Sequence, residues 1–250
     1  MTKFAIGVDL GGTNLKLGAI DEKGTLLEKI EINAETQDGP SEVIKKICAN
    51  ISKLNERWGQ TYKLSGIGAG IAGIMKLEEG RVITAPNLPG WEGFPVRSRI
   101  EEGIGRTFKL ENDGNVAALG EKWMGAGRNS QHLAFMTLGT GIGGGLILDG
   151  QIWHGISGMA AELGHITVYP EGNLCNCGNY GCLEAYASAT AIVRGARHLI
   201  KTKQASLKMK ELFVSSKEVE AKDIYRLAKL GDSSSAVSYT HLTLPTILLV

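Results

Sequence analysis

Apolar strands that come in threes, joined by a glycine turn and a hairpin turn, together with amphipathic helices elsewhere in the chain, mark it as α/β, and the trio occurs twice. The first trio is FAIGVDL, the turn GGTN, LKLGAI, the turn DEKG and TLLEKIEI. The second, about 130 residues further on, is HLAFMTL, GTGIGG, GLIL, DG and QIWHG. Glycine, at 34 residues against 6 prolines, clusters in such turns without a GXY period. A chain of 250 residues is long for one compact core. The repetition therefore reads as two related domains, each offering a glycine turn to one shared cleft.

Between the trios, residues 41 to 58 place Val43, Ile44, Ile47, Cys48, Ile51, Leu54 and Trp58 at helical spacing, with charged residues opposite. Cys48 on that stripe reads as a small buried hydrophobe. LSGIGAGIAG and RVITA then read as strands, residues 94 to 103 as a short helix, and FKLEN as a strand running into a helix over 114 to 124. After the second trio, AYASATAIVRGARHLI and KDIYRLAKL read as helices joined by polar connections. Past Ser233 the pattern collapses. SYTHLTLPTILLV has neither helical periodicity nor a glycine turn and looks like translated adaptor, so the natural C-terminus is expected to be missing.

Lysine and arginine total 27 against 26 acids, a net charge of +1, which leaves no field to hold nucleic acid or an anionic membrane. MTKFAIGVDLGG is too short and glycine-rich for a signal peptide, and no 18-residue apolar run occurs. A cytoplasmic protein is expected. Three of the four cysteines fall within eight residues, a spacing that suits a metal better than a disulfide scaffold.

No GxxxxGK[ST] occurs, and the two GxGxxG matches, Gly68-Gly70-Gly73 and Gly139-Gly141-Gly144, do not open helices as a dinucleotide fingerprint must. What remains is Asp9 followed by Gly11, Gly12, Thr13 and Asn14, and Gly139-Thr140-Gly141, each between two strands. A strand hairpin whose turn lacks Cβ atoms lets backbone N–H groups converge on phosphate oxygens, with Thr13 and Thr140 adding hydroxyls. Either turn alone reads as an ordinary hairpin. Together, with Asp9 placed to sit near a phosphate-bound Mg²⁺, they read as a phosphate site.

His165 with Cys175, Cys177 and Cys182 can close a tetrahedron around Zn²⁺, with Gly178 and Gly181 permitting the turn. The alternative is free buried thiols or a strained disulfide. Four protein ligands leave no open position, so such a zinc would be structural. Among the acids, Asp113 in ENDGN stands where a strand meets a helix, a position that serves as helix cap or as general base, with Asn112 beside it to hydrogen-bond a polar ligand. Glu162 and Glu184 flank the cysteine segment.

DLGGTNLKLG, APNLPGW, ENDGNVAALGE, TLGTGIGGG, AAELGH and CNCGNYGCLEAYAS together resemble the ROK family of sugar kinases and related repressors, from about residue 4 to 230. The resemblance implies an actin-like, hexokinase-type fold of two RNase H-like domains with ATP and sugar in the cleft. It implies Asp113 as catalytic base, Gly73, Asn87, Asn112, Glu162, His165 and Glu184 facing the sugar, and His165, Cys175, Cys177 and Cys182 as zinc ligands. APNLPGW resembles the glucokinase branch, so glucose phosphorylation at the 6-hydroxyl is expected. The alternatives are an N-acetylmannosamine or N-acetylglucosamine kinase, or a non-catalytic, sugar-responsive member. Repressors of the family carry an N-terminal helix-turn-helix, for which a first strand at Phe4 leaves no room. Family members continue into a further strand, a glycine-rich adenosine-contacting turn and terminal helices that are not found after Ala236. The expected division is therefore residues 1–112, residues 113–236 as an incomplete second domain, and 237–250 as a non-native tail. The full-length parent is expected to act on a small sugar as a homo-oligomer, a dimer, without nucleic-acid or membrane partners.

Overall fold

A computed structural model describes residues 2–240. They divide into two compact units, residues 2–135 with 145–161, and residues 136–144 with 162–240. The C-terminal segment read above as adaptor lies outside the described residues from 241 onward.

The first unit is built on a five-stranded sheet. β1 (Lys3–Leu10), β2 (Asn14–Asp21) and β3 (Leu26–Asn33) form an antiparallel meander, and β4 (Lys63–Ile71) and β7 (Lys109–Asn112) join parallel to β1. The order is β3-β2-β1-β4-β7. Alternation decides which face is covered: Phe4, Ile6, Val8 and Leu10 of β1 and Leu15 and Leu17 of β2 are all buried. The long helix α1 (Pro40–Trp58) packs on β1 and β2 with Val43, Ile44, Ile47, Ile51 and Leu54, the stripe its periodicity requires. Each such Leu or Ile stabilises the unit by about 1.5–3 kcal/mol. Pro40 at the first helical position needs no hydrogen-bond partner for its nitrogen, and Gly39 before it takes a φ of +87°. α2 (Val96–Ile104) adds Val96 and Ile100 to the same core.

Only RVITA was expected to be a strand beyond β4, but β5 (Ile74–Lys76) pairs antiparallel with β6 (Arg81–Thr84) as a separate hairpin. Gly73, at φ +137°, breaks the chain between β4 and β5. The short helix begins at Val96 and not at 94, because Pro95 disfavours helical backbone at the residue before it.

β7 runs directly into α3 (Asp113–Trp123), which packs on β4 and β7. Gly70 permits the approach: a Cβ there would lie 3.2 Å from the Asp113 Cα and 3.2 Å from Val116. β8 (Leu133–Leu138), β9 (Ile142–Leu148) and β10 (Gln151–Ile152) form a three-stranded sheet ordered β10-β9-β8.

In the second unit, α4 (Glu184–Ala187) and α5 (Ala189–Lys201) replace the single helix expected over 185–200. Ser188 separates them, its backbone extended and its hydroxyl accepting from Ala191 N–H as an N-cap. α6 (Leu207–Ser215) occupies a stretch read as a polar connection, with Met209 as its buried residue and Ser206 capping it. α7 (Ala221–Lys229) matches the expected KDIYRLAKL helix, and Ile192, Ala196, Met209 and Ile224 form the core of this bundle. α8 (Ser233–Thr240) stands where the pattern was read as collapsing. Its buried face is polar and small: Ser235 is buried, and Ser238 donates to Ile192 O at 2.8 Å. A serine-faced helix gives no apolar period to read. Among the described residues, no helix is long and apolar enough to cross a membrane.

Candidate active site and metal centre

Strand register aligns the residues singled out in the first unit. Leu10, Ile71 and Asn112 are paired neighbours across β1, β4 and β7, so the first glycine turn, the Ala72–Gly73 segment and the Asn112–Asp113 corner all leave the sheet at its carboxyl edge. Ligands of open α/β sheets bind outside that edge. Asp9 lies one residue before the end of β1 and faces Lys16 at 3.7 Å, both side chains exposed. The turn is closed by Gly11 N–H donating to Asn14 O at 3.0 Å, and Thr13 and Asn14 are exposed. Asn87 packs against it: a Cβ on Gly12 would lie 2.9 Å from Asn87 O, so only glycine permits the approach.

Asn112 caps α3, its Oδ1 accepting from Gly114 N–H at 2.8 Å and Asn115 N–H at 3.2 Å. Its Nδ2 donates to Gly73 O at 3.1 Å, tying the corner to the β4–β5 junction. The structure thereby joins Gly73, Asn112 and Asp113. Asp113 is solvent-accessible, yet the protein around it penalises its charged form. That desolvation is the leading cause raising its pKa above the usual 3.8; the Gly114 N–H opposes the rise and the charge of Asp9 adds to it.

In the second unit, the Gly139-Thr140-Gly141 turn is held from below by α5. Ala189 N–H donates to Gly139 O at 2.9 Å and Thr190 Oγ1 to Thr140 O at 2.8 Å. Glu184 accepts from Ile142 N–H at 2.8 Å through Oε2, and that oxygen lies where a Cβ on Gly141 would stand. Its carboxylate is thus fastened to the glycine turn, a partner that spacing did not reveal. Glu162 is half-buried and precedes the short 3-10 turn Leu163–His165, accepting from His165 N–H at 3.0 Å through its carbonyl.

The cysteine segment folds as a knuckle. Leu174 bridges Tyr180, Cys175 N–H donates to Asn179 O at 2.8 Å, and Gly178 and Gly181 turn at φ +89° and +73°. The ligand atoms of His165, Cys175, Cys177 and Cys182 lie within 4.8 Å of one another. Cys177 and Cys182 sulfurs are 3.6 Å apart, and Cys175 Sγ is 3.7 Å from His165 Nδ1. A tetrahedral zinc with sulfur bonds of about 2.3 Å needs ligand edges of about 3.7 Å, so the set fits the ion. Nδ1 faces the sulfurs, which leaves the second ring nitrogen of His165 for another partner. Burial and the neighbouring thiols push the Cys182 thiol up to about 12, the reverse of what a bound cation does to a ligating thiol. Glu184 Oε1 accepts from Cys175 at 3.8 Å, so one carboxylate touches both the knuckle and the glycine turn.

A five-stranded 3-2-1-4-7 sheet with a glycine turn after its first strand, and a second glycine hairpin later in the chain, define the actin-like fold of hexokinase type. A crystal structure of a ROK hexokinase from Thermus thermophilus superposes at TM-score 0.79 with 31% identity, covering 97% of this chain and 74% of that one. A ROK family glucokinase from Streptomyces griseus, crystallised with glucose and AMPPNP, gives TM-score 0.77 and 34% identity over 96% of this chain and 75% of its own. A glucokinase of Thermotoga maritima is 41% identical over 227 residues, 91% of this chain and 70% of that protein. The ROK family model matches residues 5–244, and the chain belongs to the ROK family.

Proposed function

We propose that this chain is an ATP-dependent sugar kinase that transfers the γ-phosphoryl group of ATP to the 6-hydroxyl of a hexose, with glucose as the substrate. The observation that carries the reading is the corner at the end of β7. Asn112 and Asp113 stand level with the Gly11–Asn14 turn at the carboxyl edge of one sheet. The glucose-bound relative supports the choice of sugar.

Phosphoryl transfer asks for positioning, charge neutralisation and a base for the attacking hydroxyl. Asp113 accepts the proton of the 6-hydroxyl as that oxygen bonds to the γ-phosphorus and the bond to the ADP oxygen breaks. Its raised pKa, set by desolvation and by Asp9, suits a carboxylate that must take up a proton. Asn112, Gly73, Asn87, Glu162, His165 and Glu184 bind and orient the sugar. Gly11, Gly12, Thr13 and Asn14, with Gly139, Thr140 and Gly141, donate to the phosphates. Asp9 would stand near a nucleotide-bound Mg²⁺, which would supply charge neutralisation. His165, Cys175, Cys177 and Cys182 would hold a structural Zn²⁺, which would order the knuckle and the His165 ring. In this reading residues 1–112 carry the first turn, and residues 113–236 carry the second turn and the zinc segment.

A coupled assay of ADP release against glucose, mannose, fructose, N-acetylglucosamine and N-acetylmannosamine tests the reading. Glucose should give the highest kcat/KM. Preference for an N-acetylhexosamine would replace the substrate, and sugar binding without turnover on any of them would replace the activity.

A further inference from the structure

Glu111 and His154 belong to no role assigned above. Glu111 is the penultimate residue of β7, with 18% of its side chain exposed. Its Oε1 accepts from Asn112 N–H at 2.9 Å and from Asn115 Nδ2 at 3.0 Å, and its Oε2 meets His154 Nε2 at 2.7 Å. A carboxylate ion only accepts, so Nε2 carries the shared hydrogen, and the contact is a short charge-assisted bond. His154 follows β10 in a segment fastened at both ends: Trp153 N–H donates to Leu146 O at 2.8 Å, and Ala160 N–H donates to His154 O at 3.0 Å.

Burying a carboxylate is costly unless every oxygen is paired, and three donors pair this one. Two of them come from residues 112 and 115, which bracket Asp113. Asn115 is itself buried, 3% exposed, so its amide cannot turn to water instead. Asn112 must point its Oδ1 down the axis of α3 and its Nδ2 at Gly73 together, and that orientation depends on the backbone its N–H fixes. We propose that Glu111 and His154 are positioning residues: the pair clamps the 112–115 turn from beneath and so aims the Asp113 carboxylate. His154 supplies the outer end of the clamp, holding Glu111 where it can accept from both asparagines. The inference rests on the reading of Asp113 as the base.

The test is His154→Ala beside His154→Gln, whose amide can donate from a similar place. Misplacing a catalytic group by about 1 Å costs up to roughly 100-fold, and loosening it costs less, so His154→Ala should lower kcat about 10-fold with KM for ATP changed less than about 2-fold. His154→Gln should recover most of the loss. Amide exchange at Asn112 and Asn115 should accelerate in the alanine variant and not in the glutamine variant. Wild-type kcat in His154→Ala, a loss confined to KM, or a glutamine variant no better than alanine would each overturn the proposal. Asp113→Asn assayed in parallel separates the two readings. If Asp113→Asn keeps its turnover, the base assignment falls on its own, and the exchange rates still decide whether the pair holds the turn.

Discussion

Replacing Gly73 with alanine loads the corner between β4 and β5 in two ways that add. Gly73 holds φ +137°, a region that costs a residue with a Cβ about 1–3 kcal/mol. The new Cβ would also stand 2.7 Å from Thr84 O and 2.9 Å from the Ala85 Cβ, and neither is the end of a flexible side chain. Overpacking of that kind costs about 1–3 kcal/mol more. The expected loss is about 2–6 kcal/mol, a large share of the stability of an ordinary domain. Whatever movement relieves it displaces Gly73 O, the acceptor of the Asn112 Nδ2 hydrogen bond. Turnover and sugar affinity should therefore both fall. Urea unfolding followed by tryptophan fluorescence, with Trp58 and Trp91 in the same unit as reporters, measures the stability, and the coupled kinase assay measures the turnover. A variant that loses less than about 1 kcal/mol and keeps its kcat would refute both the strain and the link to Asn112.

Asp113→Asn should lower kcat by about 100-fold or more with a much smaller change in sugar affinity, read by steady-state kinetics and sugar titration. The same substitution should raise the melting temperature at neutral pH. A carboxylate whose folded pKa is raised contributes stability below its unfolded value of 3.8 and loses it as pH rises through the folded value, so the gap between variant and parent should close as pH falls toward 3.8. Elemental analysis should find one zinc per chain, and Cys177→Ser should lose it; protein with reduced, unmodified cysteines and no zinc would remove the site. Ile47→Ala, at a fully buried position of α1, should destabilise the first unit by about 2–5 kcal/mol in urea unfolding.

How much could be read in advance differs between the two units for a physical reason. β1, β2 and α1 bury one face and expose the other, so alternation in FAIGVDL and the stripe from Val43 to Leu54 report the structure directly. The helices of the second unit mix aliphatic and hydroxyl side chains on their buried faces, Ile192, Met209 and Ile224 beside Ser235 and Ser238. Ser188 and Ser238 are buried with their hydroxyls bonded to backbone, and Ser235 is buried with its N–H donating to the Asp232 carboxylate, none of which hydropathy registers. α8 was missed because its buried face is serine, α6 because nine residues with one fully buried side chain, Met209, show no sustained period, and α4 and α5 were merged because the cap Ser188 stands inside a run of helix formers.

The site follows the same rule with a different cut. Asp9, Asn112, Asp113 and the Cys3His set could be singled out as candidates because glycine turns, a strand-to-helix corner and short cysteine spacings are local in sequence. Glu111 and His154 were not, since 43 residues separate them and a lone acid at a strand end reads as surface. The signal lay in ENDGN: an acid just before a capping asparagine, with another asparagine four residues on, has two donors within reach before any distant partner is known. Glu184 shows the limit from the other side. Its place after the cysteine segment was noted, yet its bond to Ile142 N–H joins the knuckle to the second glycine turn through one carboxylate. Loss of metal order at Cys175 should therefore reach the turn through Glu184, so zinc removal is expected to weaken nucleotide binding as well as sugar binding. Titration of zinc-stripped protein with an ATP analogue in the absence of sugar measures this, and an unchanged affinity would confine the metal's influence to the knuckle.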